Sequence, residues 1–381
     1  MKKATKKIVQ GLATLVGTII GAGIFGVPYV MSKAGVVVGL VYFIALTIIM
    51  ILLHLYFGEI VLAIKERHRF PGFAYELLGQ WGKHTAAVLG IFGGWISITA
   101  YIILGGMFLS LLLDRWVNIG PLGWSLVFAA SAAFAVVGGL RWITRTEVLM
   151  TTALLIVILT IIIAGLPQVA LAHLVRFDVK EVVLPYGVIL FSLSGLAVIP
   201  ELEDVLGNGQ RKLLRRVIVL GILAAAILTA FFGAIVAGIS GPNTSSDAIS
   251  GLQPFWGAWI ITIGALFGFL AVATSCYVFL MNQAETFVYD YRMSWWTSRI
   301  LALGVPLIFF ILGARNFIGL IGLAGGFTGG LTGVLIVFMY LRVLEKKKIP
   351  RLRWVVPIGV AAVFFVGAAV ELWVSSHQFF K

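Results

Sequence analysis

Apolar residues along this chain come neither in strict alternation nor as one-sided helical stripes, but in long unbroken runs with the polar positions clustered between them. A hydrocarbon layer of about 30 Å takes roughly 20 apolar residues of helix to cross. Eleven runs meet that length, over 8–32, 36–64, 84–113, 122–140, 147–166, 183–206, 213–240, 255–288, 296–313, 316–343 and 352–374. A membrane barrel would show strands of about ten alternating residues, so continuous runs predict helices. The pattern therefore describes an all-α integral membrane protein of about eleven spans. The longest connections, 65–83, 167–182 and 241–254, are too short to hold a soluble domain. Within the first, residues 70–79 have apolar positions at helical spacing and read either as a short helix on the membrane surface or as an ordinary connector.

Composition agrees with that solvent. Of 381 residues, 61% are apolar and 11% charged, and the mean hydropathy is +1.07. Soluble domains carry about 25% charged residues, which excludes a cytosolic enzyme, a secreted disulfide scaffold and a disordered chain. The net charge of +13 would suggest nucleic acid in a soluble protein. Here placement explains it: with a cytoplasmic N-terminus, 22 of the 28 Lys and Arg fall on inner segments, among them Lys6, Lys7, Lys65, Arg67, Arg141, Arg211, Lys212, Lys346 and Lys347. That positive-inside bias fits eleven spans in the plasma (inner) membrane, with the C-terminus outside. No nucleic-acid partner is required. The single Cys276, inside an apolar run, excludes an intramolecular disulfide and a cysteine metal cluster. The basic start resembles a signal peptide, but its apolar run is too long and lacks a small-x-small cleavage site, so it reads as the first span.

Two spans are interrupted. Gly17-Thr18-Ile19-Ile20-Gly21-Ala22-Gly23-Ile24-Phe25-Gly26-Val27-Pro28 sets four glycines and a proline inside the first, and Phe191-Ser192-Leu193-Ser194-Gly195-Leu196-Ala197-Val198-Ile199-Pro200-Glu201 does the same in the sixth. Glycine disfavours helix by about 1 kcal/mol relative to alanine, so the first should unwind near residues 21–23. Unwound backbone at membrane depth survives where it lines a cavity or holds a ligand; close helix packing through small residues is the other reading of either break alone. Position favours the first reading. Span one runs inside to outside and span six outside to inside, so a five-helix unit repeats inverted, as in secondary transporters. The halves would be 1–181 and 182–343, with an additional span in 344–381.

The two interrupted segments resemble those of the hydroxy and aromatic amino acid permeases and the related amino acid/auxin permeases, within the amino acid-polyamine-organocation superfamily. The resemblance implies the LeuT-type fold of five plus five helices, helices one and six discontinuous, with alternating access to a central amino acid site. Half-helix N-termini suit a carboxylate, and unwound carbonyls suit an ammonium. The N–H groups of Gly21, Ala22 and Gly23, with Thr18 nearby, are expected to hold the carboxylate, and carbonyls around Ile19 and from Phe191 and Ser192 to Ser194 the ammonium. Trp95, Ile98 and Tyr101 of span three, with Phe191 and Gly195, would line the side-chain pocket. No acid lies in either break ahead of Glu201, so the expected substrate is a neutral, apolar or aromatic amino acid.

Coupling is open between sodium and protons. Ala271, Thr274 and Ser275 share a face of span eight, and with the carbonyls of Gly17 and Ile20 they could offer five oxygens to a hard cation. This arrangement is similar to the sodium site of sodium-coupled relatives; the other reading is that Thr274 and Ser275 bond to their own helix. Proton-coupled relatives can place a lysine from span five there, and span five here has none. Glu59 and Glu201 are the proton-carrier candidates in that case, or else anchor a break by accepting free N–H groups, with Glu59 also able to snorkel to the inner surface. Glu285 and Asp290 could form an inner gate with Lys6 or Lys7, and His54 reads as a bonded packing residue rather than a relay. The glycines of span ten, from Gly322 to Gly333, read first as close packing and second as a hinge that moves during gating. No cofactor motif is present, and the five histidines lack metal-ligand spacing and enzyme signatures. A membrane-embedded enzyme, a channel, and an amino acid sensor or exchanger with transporter architecture are the alternatives. The sequence leaves oligomeric state open.

Overall fold

The computed structural model describes residues 2–379 apart from 65, 67, 139–142, 208 and 290, with side chains described over 6–136 and 152–375. Lys65, Arg67 and Arg141, which enter the charge pattern, lie outside the described residues. Helices account for the regular structure described, and eleven spans follow one another in the order of the apolar runs. Six stretches are long and apolar enough to cross a membrane singly: Val36–Ala63, Phe70–Leu113, Arg211–Asn243, Ser250–Tyr289, Phe317–Lys346 and Arg351–Ser375. Shorter apolar helices at Gly120–Val136, Thr152–Gln168 and Trp295–Ile311 supply spans four, five and nine.

The remaining two spans are the interrupted ones. Helix α1 (Lys2–Ile19) meets α2 (Gly23–Ala34) at a 57° bend. Beyond α3 (Val36–Ala63), α4 (Phe70–Leu113), α5 (Gly120–Gly138), α6 (Ile143–Gly165) and the short α7 (Leu171–Leu174), the sixth span divides into α8 (Pro185–Ser192) and α9 (Ile199–Leu206). Leu193, Ser194 and Gly195 are unwound between them, and Pro200 opens α9, where its fixed φ and missing N–H suit the first turn. The chain continues through α10 (Arg211–Ser240), α11 (Gln253–Tyr289), α12 (Trp295–Ile311), α13 (Phe317–Gly322), a π-helix over Leu323–Gly329, α14 (Gly330–Lys346) and α15 (Val355–Phe379).

Residues 70–78 are helical and run into span three through a kink at Gly79 (φ 73°, ψ −158°). The helix that enters span eight is kinked in the same way at Gly257 (φ 71°, ψ −175°). Both angles lie in a region open essentially to glycine, and at both sites an added Cβ would meet nothing. Conformation, not crowding, thus selects glycine. The kinks lead into spans three and eight, five spans apart, a correspondence that the hydrophobic pattern does not carry.

The core between spans is closed by aromatic edges and glycine contacts. Phe25 of α2 meets Phe108 of α4 edge-on, with centroids 5.0 Å apart, and a Cβ on Gly268 of α11 would stand 2.7 Å from the Phe108 ring. Span ten packs closely, as its glycines suggest: Gly330 and Gly333 face Ala368 and Phe364 of α15. The π-helical turn in its centre is an addition to the sequence reading.

Candidate functional site

The two interruptions meet. A Cβ on Gly23 would stand 2.8 Å from Ser192 Cα and 3.1 Å from the Phe191 ring, so only a glycine lets the start of α2 lie against the end of α8. Gly195 faces Ile19 and Leu15 of α1 in the same manner, at 2.7 and 3.1 Å. The breaks therefore cross as a pair, each in contact with the other.

Backbone groups in the first break are only partly spent. The Gly21 N–H turns back to the Ile19 carbonyl (3.0 Å), so this donor expected for a carboxylate is spent within the break, while the carbonyl keeps a second lone pair. Ile24 and Phe25 donate to Gly21 and Ala22 carbonyls at 3.3 Å. The Ala22 N–H has no hydrogen-bond partner among the described residues, although Ala22 is wholly buried. Thr18 is exposed, and its hydroxyl is spent within its own helix, donating to the Thr14 carbonyl at 2.9 Å.

In the second break Ser194 N–H donates to the Phe191 carbonyl at 3.2 Å, and the Ser192 hydroxyl donates to Ile189 at 2.9 Å. Ser194 itself is exposed. Gly195 N–H is taken by His54, whose Nε2 accepts it at 3.2 Å while Nδ1 donates to the Met50 carbonyl at 2.7 Å. His54 is wholly buried. Its two bonds require the neutral tautomer with the proton on Nδ1, and they tie span two to the unwound backbone. The sequence reading took His54 as packing; the unwound Gly195 was the signal that a donor would need a partner.

Around the crossing stands an aromatic group. Tyr101 lies with ring centroids 6.4 Å from Phe191 and 5.5 Å from Phe279. Phe279 of α11, itself 39% exposed, is a further member of this group, and nothing in an apolar run distinguishes the residue that meets Tyr101. Ile98 is wholly buried in α4. Trp95 departs from expectation: its indole N–H donates to the Leu301 carbonyl of α12 at 3.1 Å and its ring lies 6.1 Å from Phe287. It binds span three to spans eight and nine.

Of the oxygens offered to a cation, Ser275 Oγ reaches the first break, 3.4 Å from where a Gly21 Cβ would be. Thr274 instead donates to Leu270 and Ala271 carbonyls of its own helix, both at 3.0 Å. Gly17 is half-buried and Ile20 buried at the end of α1.

The carboxylates sort differently from expectation. Glu59 accepts from Arg211 Nε at 2.6 Å and lies 3.7 Å from Lys347 Nζ, an ion-pair cluster joining α3, α10 and the end of α14. Glu201 is exposed in the first turn of α9. Glu285 pairs with Arg69 at 2.6 Å and not with a tail lysine, because Lys7 Nζ donates to the Leu206 carbonyl. Asp290, beside Glu285 in the sequence reading of this gate, lies outside the described residues.

The sequence matches the tryptophan/tyrosine permease family over residues 4–374. The chain belongs to that family. It is accordingly a multi-pass membrane permease for amino acids and not an enzyme. No curated protein matches the sequence. Among solved structures it is similar to MhsT in complex with L-phenylalanine, with a TM-score of 0.70 at 16% identity, covering 94% of this chain and 98% of that one. It is also similar to the inward-facing conformation of Mhp1, with a TM-score of 0.66 at 14% identity, covering 96% and 90%. At these identities the likeness speaks to the fold, which is the LeuT-type arrangement of five plus five helices.

Proposed function

We propose that this permease carries a neutral, apolar or aromatic amino acid across the plasma membrane by alternating access, coupled to sodium or protons. The carrying observation is the crossing of two unwound segments, with an unpartnered Ala22 N–H, beside the Phe191, Tyr101 and Phe279 rings. Ala22 and Gly23, at the positive end of α2, suit a carboxylate. The Ser192 to Ser194 backbone offers carbonyls to an ammonium, and the rings receive an apolar or aromatic side chain. The bound phenylalanine of MhsT supports that choice. For a sodium ion, Ser275 is the side-chain ligand best placed against the first break.

The N-terminal face is assigned to the cytoplasm on the positive-inside pattern. Exposed Thr18, Ser194 and Glu201 lie toward that face, while α2 is buried along nearly its whole length on the other. We read this as the state open to the cytoplasm, with 1–181 and 182–343 as the repeats that exchange it for an outward-open one.

The test is reconstitution in liposomes, with labelled phenylalanine, tyrosine, tryptophan and leucine followed under an imposed sodium or proton gradient. Accumulation of one or more of these is expected. Binding without flux would make the protein a sensor, and flux without gradient dependence an exchanger.

A further inference from the structure

Span eleven carries one acidic residue, Glu371, in an otherwise apolar helix, and it is 6% exposed. Its carboxyl occupies space that three glycines leave free. A Cβ on Gly322 would stand 2.8 Å from Oε1, one on Gly187 of α8 2.7 Å from Oε2, and one on Gly326 of the π-helix 2.9 Å from Oε2. The carboxyl thus sits at the junction of spans six, ten and eleven. From its own helix Ser375 hydrogen-bonds it. The titratable groups facing it from the neighbouring helices are Tyr186 of α8 and Tyr42 of α3; residues 322–329 contain none. Among the described residues no Lys or Arg pairs with it. A carboxylate so enclosed in a membrane protein is expensive unless paired or neutralised.

A second observation points to the same place. The Tyr186 hydroxyl is buried without a hydrogen-bond partner and lies over Gly367, one helical turn from Glu371. Tyr186, Gly367 and Val370 also line a groove of about 520 Å³ between spans two, six and eleven. A buried donor without a partner therefore stands about one helical turn from a buried carboxyl, at the edge of an apolar groove.

We propose that Glu371 is a proton-binding site of the transport cycle, neutral in the helix packing seen here and ionised when α8 shifts against the π-helix. The step is a proton exchange with water: the carboxylate gains H⁺ to become the acid and returns it, and no other bond changes. Ionisation needs donors in addition to Ser375, and movement of α8 would supply the Tyr186 hydroxyl. Gly187 lies one turn before Phe191 and Ser192, so the same movement displaces the amino acid site. Proton and amino acid binding must then alter one another by the same factor. This inference rests on the amino acid reading given above and commits its coupling to a proton at this residue.

Wild type and E371Q are compared in liposomes by phenylalanine binding between about pH 6 and about pH 8, and by infrared difference spectroscopy. The wild-type dissociation constant is expected to change by about threefold or more, and that of E371Q by less than about 1.5-fold. A protonated-carboxyl stretch in wild type should respond to pH and to phenylalanine and be missing from E371Q. Counterflow should persist in E371Q while proton-driven accumulation is lost. Should E371Q fail to insert, E371D keeps a titrating group one methylene shorter, and displacement of the band in that variant carries the assignment. Binding with no pH dependence in wild type, or a band unchanged in either variant, overturns the proposal and leaves the amino acid reading standing. Absence of binding by any of the amino acids tested overturns that reading, and the pH response of the carboxyl band then decides on Glu371 alone.

Discussion

At the residue scale, Gly23 and His54 do different jobs for the same piece of backbone. Gly23 removes atoms: its Cβ would fall 2.8 Å from main chain of α8, which cannot swing aside as a side chain could. Gly23→Ala is therefore expected to abolish amino acid uptake while the protein still inserts, measured by transport against surface-labelled protein. His54 adds a partner. His54→Ala leaves the buried Gly195 N–H unsatisfied, a loss of about 1–3 kcal/mol, to be read as a lower melting temperature in detergent that saturating phenylalanine only partly restores. The first break was legible because four glycines and a proline in twelve residues cannot form an ordinary span. The partners of the breaks were less so. His54, Phe279 and Glu371 each stand in a run whose rotation about the helix axis is settled by packing, as does Trp95, whose indole bonds to span nine. Glu371 had a signal that went unused, being the lone acid of its span.

At the scale of elements, Gly79 and Gly257 turn two long helices at matching places in opposite halves. Alanine at either position must leave its observed φ and ψ, at a cost of about 1–3 kcal/mol, although there is space for the methyl group. Gly79→Ala and Gly257→Ala are each expected to lower the unfolding midpoint. Because neither residue touches the site, phenylalanine affinity should stay within about twofold if the helices keep their bend. Eleven runs were readable because the apolar length needed to span lipid is a blunt requirement. The kinks were not, since one glycine among 44 in the chain does not disclose its own φ.

For the whole molecule, the two faces of the bundle carry different kinds of contact. On the N-terminal face, Arg69 with Glu285 and the Glu59 cluster with Arg211 and Lys347 are ionic. On the other, α2 meets α4 through Phe25 and Phe108 and meets span ten through Gly26 against Ile318 and Ile321. Exposed ion pairs contribute about 0–1 kcal/mol, so Glu285→Gln should hardly change thermal stability yet should shift the balance of conformations. In a Cys276→Ala background, a cysteine at Thr18 is expected to react with membrane-impermeant thiol reagents from the N-terminal face, faster in the Glu285→Gln variant and slower with phenylalanine bound. Reaction from the opposite face alone would refute the assigned state.

The seven π-helical residues from Leu323 to Gly329 have one more implication. A π turn holds about one residue more than an α turn. Deleting a single residue there would let the segment wind as ordinary α-helix with α13 and α14 still in phase. The same deletion elsewhere in a span would rotate everything downstream by about 100°. Homologous chains one residue shorter at this point would thus preserve the architecture while lacking the wide turn against which Glu371 rests.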